Sequence, residues 1–118
     1  MVLEKEATNF DVFAGVKNGD ELSNPIPVGI AKNRVGELFY ILNIKKIVAG
    51  KLYLVKNTDS QNEYTVFAGY NRLCPGQPFR LPCGTGYLDP GFQSYLEIRL
   101  EALNYPLFMS LFSMKEAA

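Results

Sequence analysis

The clearest pattern in the chain lies near its C-terminal end. From Tyr95 to Ala102 the residues alternate, with Leu96, Ile98, Leu100 and Ala102 on one side and Glu97, Arg99 and Glu101 on the other. A period of two is that of a strand with one face buried. Lys51 to Lys56 repeats the pattern, with Leu52 and Leu54 against Tyr53 and Val55, and Glu63 to Ala68 sets Tyr64, Val66 and Ala68 together. The intervening Asn57-Thr58-Asp59-Ser60-Gln61-Asn62 is turn material, so these two strands are expected to form a hairpin. Arg34 to Leu42 is too densely apolar for two distinct faces and is expected to be a strand buried on both sides.

Other stretches give weaker patterns. Phe10 to Val16 has strand character and is followed by Lys17-Asn18-Gly19-Asp20, a turn signal. Ser23-Asn24-Pro25-Ile26-Pro27 is expected to be an extended loop or edge strand, because neither proline can donate to a ladder. Between Cys74 and Gly91 the prolines and glycines forbid a helix and leave short strands near Phe79–Leu81 and Thr85–Leu88. At the end, Leu107, Phe108, Leu111 and Phe112 fit one helical face, but Pro106 to Phe112 also fits a strand pairing with 94–103; the strand is preferred. Residues 1–9 lack periodicity and are expected to be an extended arm, with one domain over 10–118.

Several short strands separated by turn clusters predict an all-β, antiparallel β-sandwich. A jelly-roll topology is preferred over an immunoglobulin-like one, because the paired cysteine framework and the tryptophan of the latter are missing.

The composition limits the chemistry. The 118 residues include seven Tyr and eight Phe but no Trp and no His, and twelve basic residues balance twelve acidic ones. Without histidine, the usual general base and the commonest metal ligand are absent, and no Ser-His-Asp or Cys-His arrangement is possible within the chain. Glu97 and Glu101 would stand about 13 Å apart on a strand, beyond the roughly 5–9.5 Å of glycosidase carboxylate pairs. With Arg99 between them they form a solvated charge ladder. The run Asn57–Glu63 lacks the order of acids and the glycine of a calcium loop, and Asp89-Pro90-Gly91 is a β-turn signature. No glycine pattern makes a phosphate loop. Cys74 and Cys83 could bridge across a hairpin; free thiols are expected, and no zinc site. No enzyme activity, cofactor or metal is therefore expected.

Zero net charge argues against nucleic acid, whose binding draws on concentrated positive charge. No secretory signal or transmembrane run is evident, so the chain is expected to be cytoplasmic in origin and not membrane-bound. The apolar run Leu107–Met114 and the low charge suit a surface held among partners. The expected role is structural: a subunit docking on protein subunits of a larger assembly, as a homo-oligomer, with capsid decoration or cementing in a virion as its form. The partner-binding positions expected are Val2, Leu3, Phe10, Tyr105, Leu107, Phe108, Leu111 and Phe112. The alternative is a carbohydrate- or ligand-binding module using Tyr70, Tyr87 and Phe92, drawn from a wider set of aromatics that includes Tyr40, Tyr53, Phe67, Tyr95 and Tyr105.

Overall fold

Every strand pairs with its neighbours in sequence. In the computed structural model, which describes residues 7–34, 36–45, 50–71, 73–74, 76–92 and 94–112, eight antiparallel strands run in chain order round a closed barrel. They are β1 (Ala7–Asn18), β2 (Glu21–Arg34), β3 (Phe39–Asn43), β4 (Leu52–Lys56), β5 (Glu63–Tyr70), β6 (Phe79–Tyr87), β7 (Tyr95–Leu100) and β8 (Leu107–Ser110). β8 returns to β1 through Val12–Met109, Phe13–Phe108 and Ala14–Leu107, which completes the ring. The fold is all-β and antiparallel as expected. The jelly-roll sandwich is corrected to an up-and-down barrel, because β1 meets β8 directly and the described strands make no Greek-key crossover.

The inward positions follow the alternation. Val12, Ala31, Leu42, Leu52, Leu54, Val66, Leu96, Ile98, Leu100, Leu107 and Met109 fill the interior, all buried, and Ile44 joins them from just beyond β3. β6 contributes almost no side chain to this interior. A Cβ on Gly86 would sit 3.0 Å from both Leu54 Cδ1 and Leu96 Cδ2, so these two leucines occupy the space its missing side chain leaves. A flattened wall at β6 lets large residues from opposite sides meet without a void.

Several expectations change at the ends of elements. Residues 7–9, expected in the arm, belong to β1, and residues 1–6 lie outside the described residues. The stretch 23–27 is part of a fourteen-residue β2, where Pro25 and Pro27 are accommodated beside irregularities in the ladder. The expected strand 34–42 is cut by a turn closed by Glu37 N donating to the Arg34 carbonyl. Asn33 Nδ2 pins the same turn by donating to the carbonyls of Glu37 and Phe39. The turn between β1 and β2 centres on Gly19-Asp20, with Gly19 at φ 67°, one residue later than Asn18-Gly19. β6 runs through Pro82 where two short strands were expected. β7 ends at Leu100, leaving Ala102 exposed. The β4–β5 hairpin and the strand form of 107–110 agree with the sequence reading.

Two hairpins are longer than the wall they belong to, and both fold back over it. In β1–β2 the register slips between Ala14 and Val16, and Asn24 takes φ 51°. Beyond that bend Lys17 Nζ reaches Asp89 Oδ2 at 2.8 Å and lies 4.9 Å over the Phe92 ring. In β5–β6 the register slips after Val66, and Leu81 takes φ 61°. Tyr70 and Phe79 from the distal part of that hairpin then pack on Phe39 of β3, with centroids 5.4 and 5.0 Å away. Each bulge turns a flat ribbon into a flap across the barrel's outer surface.

Candidate docking surface

The outward positions of β3, β4 and β5 carry Phe39, Tyr53 and Phe67, and the returning β5–β6 flap lays Tyr70 and Phe79 against them. Ring centroids of the contacting pairs in this cluster lie 5.0–6.1 Å apart, and the tightest are Phe79 to Phe39 and to Tyr70, at 5.0 Å each. Such edge-on and tilted pairs add to burial and stiffen the flap. Between this flap and the β4–β5 turn lies an open cleft of about 1000 Å³, walled by Phe67, Tyr70, Phe79, Leu81 and the amides of Asn57, Asn71 and Gln77. A second groove of about 780 Å³ shares Val55, Lys56, Asn57, Thr58 and Phe79 with it and extends to Leu38 and Asp59.

Exposed apolar side chains stand among the polar residues of these grooves and of the flap beside them. Leu38 is 92% exposed and Leu81 69%, and Leu73 and Tyr70 of the same flap are exposed as well. A single exposed leucine needs no explanation; Leu38 and Leu81 differ in that each lines one of two adjoining grooves. Leu81 breaks two local rules together. A leucine disfavours φ near +60°, and its side chain points to solvent once there.

The expected partner-binding residues do not form one surface. Val2 and Leu3 lie outside the described residues. Phe10 points into the barrel and meets Tyr40 edge-on at 5.7 Å. Leu107 and Phe108 are fully buried, so neither side chain is presented to a partner. The apolar run of β8 is instead covered within the chain: Leu107 and Met109 from inside, and Phe108 on the outer side by Phe92 and Tyr95, at 5.8 and 6.5 Å. Leu111 packs against the core edge. Tyr105 and Phe112 are exposed, and Phe112 lines a shallow groove with Asp20–Ser23 and Tyr95. The alternative trio is also dispersed. Tyr70 belongs to the aromatic cleft, Tyr87 is exposed beside Tyr64 and Glu63, and Phe92 is buried under Lys17. Leu38, Leu73 and Leu81 escaped the sequence reading because each stands in a turn or a bulge, where periodicity carries no information.

Polar groups are arranged as structure. Asn57 Oδ1 accepts from Thr65 Oγ1 at 2.8 Å inside the β4–β5 turn, and Asp89 accepts from Gly91 N within the turn whose Phe92 N donates to the Asp89 carbonyl. Glu97 and Arg99 pair at 2.6 Å on the outer face of β7. Both cysteines are free; Cys74 Sγ accepts from Arg80 Nη2, and burial, with the nearby Glu101 charge, pushes the Cys83 thiol up. Among the described residues no three His, Cys, Asp or Glu side chains converge to hold a metal ion, and no helix is long and apolar enough to cross a membrane. Comparison with protein-family models, with curated proteins and with solved structures returned no match.

Proposed function

We propose that this barrel is a non-enzymatic structural protein that docks on protein subunits of a larger assembly, its own copies included, through the face formed where the β5–β6 flap crosses β3–β5. A capsid is one such assembly. The observation that carries the reading is Leu81, an exposed leucine held in a left-handed backbone conformation at the edge of an aromatic cleft. Strain and apolar exposure at one residue lower stability together, and a contact made outside the monomer offsets both. Leu38, on the adjoining groove, supplies the second apolar point.

Light scattering of the purified chain across a concentration series tests this. Leu38→Asp, at a side chain that contributes almost nothing to the monomer's core, should shift the mass toward one chain while leaving the folded spectrum intact. A wild-type chain that stays monomeric at millimolar concentration and turns over a small substrate overturns the proposal.

A second reading has its own support. Tyr70, Phe79 and Phe67 offer rings on which a sugar stacks, and beside them stand the Gln77 carboxamide and the amide nitrogens of Asn57 and Asn71, whose oxygens accept from Thr65 Oγ1 and Leu73 N. A glycan array whose specific signals vanish in Tyr70→Ala while Leu38→Asp retains them favours this reading over assembly.

A further inference from the structure

On a different part of the wall, the outward positions of β1, β2 and β3 build a compact basic pocket. Lys32 stands at its centre, paired in register with Asn9 on one side and Ile41 on the other. Arg34 lies two residues along the same strand, and Asn43 stands opposite Ile30. Lys45 and Lys51, from the two ends of the connection between β3 and β4, complete the lining. Four of the chain's twelve cationic residues thus surround one hollow of about 250 Å³, and among the described residues no carboxylate lines it. Two carboxylates border it: Asp11, opposite Ile30 in register, and Glu37 of the β2–β3 turn, whose Oε1 faces Arg34 Nε at 3.4 Å without hydrogen-bond alignment.

This concentration is out of keeping with the chain as a whole, where charges balance. Like charges gathered round a concavity repel one another, and the low-dielectric wall beneath them strengthens the field they focus. The floor is apolar, since Ile41 is 7% exposed. The Asn9 side-chain oxygen is buried and has no partner among the described residues, so the carboxamide bordering the pocket is left unsatisfied; its oxygen and nitrogen ends exchange by a simple flip.

We infer that this pocket binds a small oxyanion ester, a phosphate or sulfate group carried on a hydroxylated ring. The cations would take the oxyanion, the carboxamides of Asn9 and Asn43 the hydroxyls, and Ile41 the ring's apolar edge. The volume falls just under the roughly 300–1,000 Å³ of clefts for drug-sized ligands, which limits the occupant to one compact unit. A nucleic-acid strand would need a longer track of cations than this single hollow provides. The site is independent of the docking face, and neither proposal depends on the other.

The experiment is an amide-resolved NMR titration of the chain with inorganic phosphate, inorganic sulfate and a hexose phosphate, each against chloride at equal ionic strength. Saturable shifts are expected in residues 30–34, 41–45 and at Lys51, with the hexose phosphate tighter than either free ion. Lys32→Gln and Lys51→Gln should each weaken binding roughly two- to five-fold, the range for exposed charge pairs. Lys56→Gln, on the aromatic cleft, should leave it unchanged. Shifts that chloride reproduces, or that persist in the Lys32→Gln/Lys51→Gln double variant, overturn the site. A hexose phosphate that binds no tighter than free phosphate overturns the ester.

Discussion

Replacing Leu81 by asparagine should make the monomer more stable and its docking weaker. The backbone at Leu81 has φ 61°, where a side chain with a bulky Cβ substituent loses about 1–2 kcal/mol against the right-handed regions. Asparagine tolerates that conformation because its short polar side chain bonds locally. The substitution also gives up what burial Leu81 has. The residue is 69% exposed, so under a third of the roughly 2 kcal/mol available from burying a leucine is lost, about 0.6 kcal/mol. The balance is a gain of about 1 kcal/mol, which in a chain of this size raises Tm by about 3–6 °C. Calorimetry of wild type and Leu81→Asn at a concentration where both are monomeric measures the shift, and light scattering at higher concentration measures the association. A Tm that falls refutes the reasoning, because it would mean that Leu81 works by packing within its own chain. A Tm that rises with association untouched would remove Leu81 from the docking face.

Two further outcomes follow from the packing and the charges. Phe108→Ala should cost roughly 3–5 kcal/mol, read as the change in unfolding midpoint in urea, because Phe92 and Tyr95 close over that ring and cannot collapse into the space it leaves. The Lys17–Asp89 pair should hold the β1–β2 flap only between acid and alkaline limits. The hydrogen bond from Lys17, then that from Gly91 N, holds the Asp89 carboxyl below its ordinary value of 3.8, so its contribution is present above that value and is lost as pH falls through the lowered one. The same bond raises Lys17 above 10.5, so its contribution is present below 10.5 and is lost as pH rises through the raised value. Amide exchange in residues 16–23 followed with pH should show both limits, and Asp89→Asn should abolish the acid one.

How far the chain could be read depended on whether a segment's partners were local. β4, β5 and β7 were legible because Leu52, Leu54, Leu96 and Ile98 each obey a period of two with one wet face. β8 was legible as a strand, yet the reason its residues are so apolar was not. Phe108 faces away from the barrel interior and is covered by Phe92, from a loop whose position no local pattern reveals. Pro25 and Pro27 suggested an extended loop or edge strand and Pro82 a break, and in each case the strand runs on because the missing donor falls beside a register slip. Barrel and sandwich differ mainly in whether β1 finds β8, a long-range fact absent from any window of residues. The basic pocket was hidden for a related reason. Lys32, Arg34, Lys45 and Lys51 are scattered in sequence and meet only when β2 and β3 pair and the connection after β3 turns back; the one clue was the two-residue spacing of Lys32 and Arg34.

The seam between the first and last strands has a kinetic meaning. Seven of the eight pairings in the ring join neighbours in the chain and can form as soon as a turn does, whereas residues 12–14 must wait for residues 107–109. Bringing such distant segments together costs loop entropy before any contact repays it, so cyclisation of the sheet is the slow, late event and its reversal the easiest opening. A molecule caught with that clasp undone offers two bare edges of matching register, and a second chain in the same state can lend its last strand to the first.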